Sequence, residues 1–353
     1  MKRYSKTKVL VIDDSAVVRQ VLSELINSQE DMEVMETAAD PYIAVEQLKK
    51  EKPDVITLDI QMPRMDGITF LRKLMSQHPI PVVVVSSLSK KHCEVSVKAL
   101  EYGAVEIFLK EDIQIMNSVA TGYNLLLEKI RIASKSSVKK INPCINKPPV
   151  VTQEATPVHN SEKVIVIGSS TGGTVAINEI LAKLPLDSPG IVIVQHLPKQ
   201  FTRFFADRLN ENLALSVKEA EDGDSVYPGR VLIAPGGKHI KLRKLWAKTI
   251  VRVVDGPVVN HHRPSVDVLF HSAADQLGKD SVGVLLTGMG KDGAEGLLAM
   301  RNKGAFTIAQ DKDTSVVYGM PGEAVKINAV DKVLPIELIP AELLKIQRKS
   351  SAT

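Results

Sequence analysis

Short, almost wholly apolar runs alternate along the first third of the chain with longer segments whose apolar residues recur every three or four positions. The runs fall at 9–12, 55–58, 82–85 and 106–109, with a weaker one at 34–37. Helical spacing marks 16–27, 43–51, 68–77 and 92–102, and a last segment at about 116–132. Strands without a polar face belong to a parallel sheet covered on both sides. The pattern therefore predicts a doubly wound α/β domain. The rhythm resumes further on, with strands expected at 164–167, 191–195, 231–234, 250–254, 282–287 and 306–309. Helices are expected between them at about 175–184, 202–210, 265–277 and 294–303, giving a second, larger α/β sheet. From about 133 to 162 the apolar period is lost, and Pro143, Pro148, Pro149 and Pro157 suggest a semi-extended linker. The expected division is thus 1–132, linker 133–162, and 163–348.

Length and composition agree. A chain of 353 residues suits two domains, and 44% hydrophobic with 24% charged residues lets each bury a core. The 45 basic and 41 acidic side chains are scattered, and aromatics make up only 4%, so no nucleic-acid partner is expected. Cys93 and Cys144 cannot form a disulfide framework, which suits a reducing compartment. No stretch approaches the apolar length of a membrane span, and the first apolar run is too short for a signal-peptide core. The expectation is a cytoplasmic protein without membrane insertion.

Candidate chemistry sits at strand ends. Asp13 and Asp14 follow the first strand and Asp59 the third; Ser86 ends the fourth and Lys110 the fifth. Carboxyl ends of strands in an open parallel sheet converge on one crevice. Three carboxylates there repel unless a hard divalent cation such as Mg²⁺ sits among them. Lys110 and a cation could hold phosphoryl oxygens while Asp59 attacks phosphorus. Taken singly, Asp13 and Asp14 could instead be helix caps, and Asp59 a turn residue.

Residues 8 to about 125 resemble the receiver domain of two-component response regulators. The likeness is carried by Val11-Ile12-Asp13-Asp14-Ser15, by Leu58 to Gly67 with Asp59-Ile60-Gln61-Met62-Pro63, by Ser86 and by Lys110. It implies a flavodoxin-like fold, phosphate accepted by Asp59 from a histidine kinase, Mg²⁺ held by Asp13, Asp14 and Asp59, and a switch through Ser86 and Lys110. Glu111 stands where that family usually has proline after the lysine.

In the second part, the strand at 164–167 runs into Gly168-Ser169-Ser170-Thr171-Gly172-Gly173. A dinucleotide fingerprint lacks its second glycine here, and a phosphate-binding P-loop lacks its lysine. A nucleophile turn, Gly-x-Ser-x-Gly, would lift the Ser170 hydroxyl into the crevice beside a helix N-terminus. A plain glycine-rich connection is the competing reading. His196, after the next strand, is the best-placed base; His261, His262 and His239 are the alternatives. Asp292, after the strand at 282–287, could orient the base or simply cap the following helix. Thr171 and Met289 could offer backbone oxyanion donors.

Residues from about 161 to 347 are similar to the catalytic domain of the chemotaxis protein-glutamate methylesterases. The glycine-serine turn carries the likeness, with Gln195-His196-Leu197-Pro198, Ala234-Pro235-Gly236-Gly237, Arg263-Pro264-Ser265-Val266-Asp267, Thr287 to Gly293 and Val317 to Pro321. The resemblance implies a Ser170–His196–Asp292 triad that hydrolyses glutamyl γ-methyl esters on cytoplasmic helices of chemoreceptors. It also implies deamidation of receptor glutamines and no cofactor for the ester chemistry. It further implies that the unphosphorylated receiver covers the catalytic crevice. Ser169 stands where that family commonly has alanine, and Gly322 where it often has arginine. Two rivals from other classes are a catalytically dead docking domain, which need not keep all three triad residues, and a transcription factor, which needs a helix-turn-helix or basic output domain.

Overall fold

In a computed structural model, residues 6–350 are described except 63–64, 88, 111–118, 139, 141–162 and 247. The chain divides into two compact units, Met1–Ile145 and Asn146–Thr353. The interdomain segment expected at 133–162 lies largely outside the described residues, as do Cys144 and Glu111.

The first unit is built on five strands: β1 (Thr7–Ile12), β2 (Met32–Ala38), β3 (Val55–Leu58), β4 (Val82–Ser86) and β5 (Glu106–Leu109). They pair in the order β2-β1-β3-β4-β5, every pair parallel. Helices α1 (Ala16–Asn27), α2 (Pro41–Lys50), α3 (Gly67–Gln77), α4 (Lys90–Glu101) and α5 (Val119–Ser134) intervene or follow. Strands β3 and β4 are buried along their whole length, as expected for a sheet covered on both faces. Local chemistry starts the helices: Asp40 accepts from the N–H groups of Tyr42 and Ile43, and Asp66 from that of Thr69. Ser15, not Asp13 or Asp14, caps α1. Both aspartates are thereby left for the strand-end pocket.

The second unit contains a seven-stranded sheet in the order β15-β14-β13-β6-β7-β10-β8, again parallel at every pair. Its strands are β6 (Val164–Ser169), β7 (Gly190–Gln195), β8 (Ser216–Glu219), β10 (Arg230–Ile233), β13 (Ser281–Leu285), β14 (Phe306–Gln310) and β15 (Lys332–Leu334). Helices α6 (Gly173–Leu181), α7 (Lys199–Asn212), α8 (Val266–Gln276), α9 (Ala294–Asn302), α10 (Met320–Lys326) and α11 (Ile339–Ser350) accompany it. The chain winds outward from β6 through β7, then returns across β6 to β13. The two directions part at the β6/β13 pair, and ligands of open α/β sheets bind at such a switch point.

One expected strand is placed differently. The segment at 250–254 falls in β12 (Lys248–Val254), which joins β11 (His239–Leu245) and β9 (Ser225–Val226) in a separate antiparallel sheet. The reason is legible in β11, where buried Ile240 and Leu242 alternate with exposed Lys241 and Arg243. A strand with one polar face cannot lie inside a sheet covered on both sides.

Candidate functional site

In the first unit the strand-end pocket forms as the spacing predicts. Asp13, Asp14 and Asp59 each present a carboxylate oxygen, and these oxygens lie within 4.8 Å of one another. Lys110 Nζ stands 2.8 Å from Asp13 Oδ2 and 2.7 Å from Asp59 Oδ2. Burial alone would lower the Lys110 pKa, but its contacts with Asp13 and Asp59 raise it. Burial pushes the Asp13 carboxyl above its usual range; Lys110 opposes the shift and the Asp59 charge adds to it. Three hard oxygen donors against one ammonium are a fitting set for a divalent cation. Asp59 also serves its turn, because its Oδ1 accepts from the Gln61 N–H at 2.9 Å. Ser86 is buried at the end of β4.

In the second unit, Ser169 and Gln195 are register partners on β6 and β7, strands that lie about 4.8 Å apart. Ser170 and His196 follow them directly, and the His196 N–H donates to the Ser169 carbonyl at 3.1 Å. Gln195 pins the turn: its Nε2 donates to the Ser170 carbonyl at 2.8 Å, and its Oε1 accepts from the Ser169 hydroxyl at 2.6 Å. Gly172 completes the turn at φ +76°, where a Cβ would also strike Val316. Gly288, at the end of the β13 segment, packs against the serine: a Cβ there would lie 2.8 Å from Ser170 Cβ. This brings Met289 close to Ser170, and among the described residues the Met289 N–H makes no hydrogen bond. Thr171 is buried in the same turn.

His196 Nε2 lies 2.9 Å from Asp292 Oδ2. An ionised carboxylate only accepts, so Nε2 carries the proton of the neutral ring and Nδ1 is the basic nitrogen. Nδ1 is buried and without a hydrogen-bond partner. Ser170 makes no hydrogen bond to it; in unliganded hydrolases this contact is often long and closes on substrate. The ring of His262 stacks on that of His196, centroids 3.6 Å apart and planes within 10°, which fixes the plane of the base.

The other candidate bases have other places. His239 accepts from the Ser265 N–H at Nδ1, so its Nε2 donates to the Pro257 carbonyl, and both ring nitrogens are used structurally. His261 is exposed in a left-handed backbone conformation, φ 67°.

Asp292 does not cap the helix that follows it. Its oxygens accept from Ser265 Oγ at 2.7 Å, Val266 N at 2.7 Å and Asp267 N at 3.3 Å, which is the N-terminus of α8. Asp267, in the first turn of α8, in turn accepts from Gly296 N in α9 at 2.7 Å. The two helices thus exchange caps. Asn260 closes the arrangement, its Nδ2 donating to Asp267 Oδ2 at 2.6 Å and Asp292 Oδ1 at 2.9 Å. Burial alone would raise the Asp292 pKa; the His196, Asn260 and Ser265 contacts outweigh it and hold the carboxyl well below the usual range. The sequence offers no role for Asn260, Ser265 or Asp267, and His262, an alternative base there, instead stacks on His196. The one available signal was the polar run 260–263 followed by proline, which reads as an ordinary loop.

Ser169 has a structural account, since its hydroxyl satisfies the buried Gln195 Oε1. Ser169→Ala is expected to lower the unfolding free energy of this unit by about 1–3 kcal/mol, the cost of an unpaired buried acceptor. Denaturant unfolding of the variant checks it. Gly322 lies in α10 beneath the Tyr318 ring, where a Cβ would approach Cδ1 to 3.2 Å.

Residues 165–343 match the family model described as CheB methylesterase, and residues 9–119 match that of the response regulator receiver domain. A protein-glutamate methylesterase/protein-glutamine glutaminase of Geobacter metallireducens is 49% identical over 351 residues, 97% of this chain and 99% of that one. The Escherichia coli protein-glutamate methylesterase/protein-glutamine glutaminase is 50% identical over 340 residues, 96% of this chain and 97% of that one. Among solved structures, the Thermotoga maritima CheB methylesterase catalytic domain aligns at TM-score 0.51 and 42% identity, covering 52% of this chain and 98% of that chain.

Proposed function

The chain belongs to the CheB methylesterase family and carries a response regulator receiver domain ahead of the catalytic one, and from that premise we propose that it hydrolyses glutamyl γ-methyl esters on chemoreceptors and deamidates receptor glutamines, under control of phosphorylation at Asp59. The observation that carries the esterase reading is the buried, unpartnered Nδ1 of an imidazole whose Nε2 is held by Asp292, on the residue that, like Ser170, directly follows the Ser169↔Gln195 pair.

Ser170 Oγ attacks the ester carbonyl and its proton passes to His196 Nδ1. The N–H groups of Thr171 and Met289 hold the oxyanion. The tetrahedral adduct breaks its bond to methoxide, which leaves as methanol with the His196 proton. Water, deprotonated by His196, then cleaves the glutamyl–Ser170 ester and restores the hydroxyl. With a glutamine substrate the leaving group is ammonia. Asp292 keeps the proton on Nε2 and offsets the imidazolium charge.

In the receiver, Asp59 takes a phosphoryl group from the phosphohistidine of a chemotaxis histidine kinase. Asp13, Asp14 and Asp59 would hold Mg²⁺, which neutralises charge on the phosphoryl oxygens. Lys110 supplies a second cation to those oxygens, and Ser86 reports their presence by hydrogen bonding, biasing a two-state switch. We assign residues 1–132 to this domain, 133–162 to the linker and 163–348 to the catalytic domain, and place the protein in the cytoplasm. Among the described residues no helix is long and apolar enough to cross a membrane.

Methanol release from a γ-methylated receptor fragment tests the reading; a folded protein that releases none contradicts it. Asp59→Asn should abolish stimulation by a small phosphodonor such as acetyl phosphate while leaving the unstimulated rate in place. Stimulation that survives the substitution would remove Asp59 from the role.

A further inference from the structure

The antiparallel sheet presents a surface that the ester chemistry does not use. β11 and β12 pair from His239↔Val254 to Leu245↔Lys248, and directly opposed residues share a face. The face carrying Ile240, Leu242 and Val251 is buried in the core with Phe270 and Ala273 of α8. The edge of β11 is closed by α8 as well, Leu242 N donating to Ser272 Oγ and Lys244 N to Gln276 Oε1. The opposite face carries Lys241 across from Arg252, Arg243 across from Ile250, and Leu245 across from Lys248. At its tip stands Trp246, the single tryptophan of the chain, 98% exposed.

Two features of this face are unfavourable in the protein alone. Lys241 and Arg252 are like charges directly opposed, a destabilising pair. Arg252 is held by Asp222 at 2.8 Å, but among the described residues no carboxylate pairs with Lys241, Arg243 or Lys248. A face with three unpaired cations that ends in a bare tryptophan is a surface shaped for a partner that is anionic and partly apolar.

We propose that this hairpin face is a second docking contact for the substrate protein, taking a helix whose carboxylates recur one turn apart. The inference rests on the receptor reading above. The spacing is the argument for a helix: cations two residues apart on a strand are about 6.7 Å apart, and side chains four residues apart on a helix rise about 6 Å. Lys241 and Arg243 therefore meet two carboxylates of one helical face, Lys248 meets a third, and Trp246 lies on the apolar flank beside Leu245. A substrate whose reactive groups are glutamyl esters yields carboxylates as products. Anionic lipid recognition takes about four to eight clustered cations, and only three are unpaired here. The contact is remote from the reaction. His239, at the base of β11, bonds Ser265, which bonds Asp292. Seven residues along the strand place Trp246 about 23 Å from His239, a reach of roughly 15 helical residues.

The test compares wild type with Lys241→Glu/Arg243→Glu/Lys248→Glu, and with the milder Trp246→Ser, on three substrates. These are p-nitrophenyl acetate, a soluble γ-methylated receptor cytoplasmic fragment, and the intact receptor in vesicles containing phosphatidylglycerol. The expected result is a KM for the soluble fragment raised about tenfold in the triple variant and several-fold in Trp246→Ser. The kcat on the fragment and the rate on p-nitrophenyl acetate stay unchanged, which also shows that both variants fold. A KM within twofold of wild type overturns the contact. A rise seen only with the vesicle-bound receptor overturns it too, and assigns the face to lipid. Wild type that cleaves p-nitrophenyl acetate but releases no methanol from the fragment overturns the receptor reading itself, and this contact with it.

Discussion

Ser170→Ala is expected to lower methanol release from methylated receptor by about 10³-fold or more, with little change in KM, as for other nucleophile deletions in triads. No neighbouring hydroxyl can take over. Ser169 is fully buried and donates to Gln195 Oε1, and Thr171 is 3% exposed. The fold should survive, because the bonds that shape the turn use the backbone of residue 170. Its N–H donates to the Thr287 carbonyl, and its carbonyl accepts from Gly173 N and Gln195 Nε2. A loss of rate with an unchanged unfolding transition is therefore the expected pair of observations. A variant that still releases methanol at a tenth of the wild-type rate would move the nucleophile elsewhere.

Asp292→Asn should cost more than its isosteric shape suggests. An amide replaces one accepting oxygen with a donor, and neither orientation suits the site. Turned toward the Oδ2 position, the NH₂ faces the Val266 N–H and the protonated Nε2 of His196; turned toward the Oδ1 position, it faces Asn260 Nδ2 and the Asp267 N–H. The first orientation also drives His196 to the wrong tautomer. The corresponding loss in a well-studied triad is about 10⁴-fold in kcat, and a similar loss is expected here. An unpaired buried N–H adds a stability cost of about 1–3 kcal/mol.

The pH dependence has a definite sign. The Asp292 carboxyl titrates lower in the folded state than in the unfolded chain. Its stabilisation is thus complete above the unfolded value near about 4 and is lost as pH falls toward the folded one. The stability gap between wild type and Asp292→Asn should be widest near neutrality and narrow below about pH 4. A gap that stays constant to pH 2 would contradict the depressed ionisation of Asp292.

Much of the proposed site was legible along the chain because its candidate residues sit where strands end. Asp13, Asp59 and Lys110 close three apolar runs of the first sheet, and Ser170, His196 and Asp292 follow three of the second. The parallel topology then gathers each set without further instruction. What stayed hidden was non-local. Asp292 stands immediately before α9, so proximity in sequence suggests that it caps that helix. Instead it caps α8, while Asp267 of α8 caps α9, and only the packing of the two helices makes the exchange possible. Asn260 and His262 belong to a loop without periodicity, and their roles arise from a bridge between two carboxylates and a ring stack. The strands left unassigned, β8, β9, β11 and β15, are short, polar or one-faced, and so lack the unbroken apolar run that marked the others.

The triad is a single relay only if Ser170 owes its reactivity to His196 and Asp292. Labelling with an alkyl fluorophosphonate, followed by peptide mapping, reads that directly. One adduct is predicted, on Ser170, forming at least a hundred times more slowly in both His196→Gln and Asp292→Asn. An adduct on another residue, or labelling of Ser170 at the wild-type rate in either variant, would contradict it.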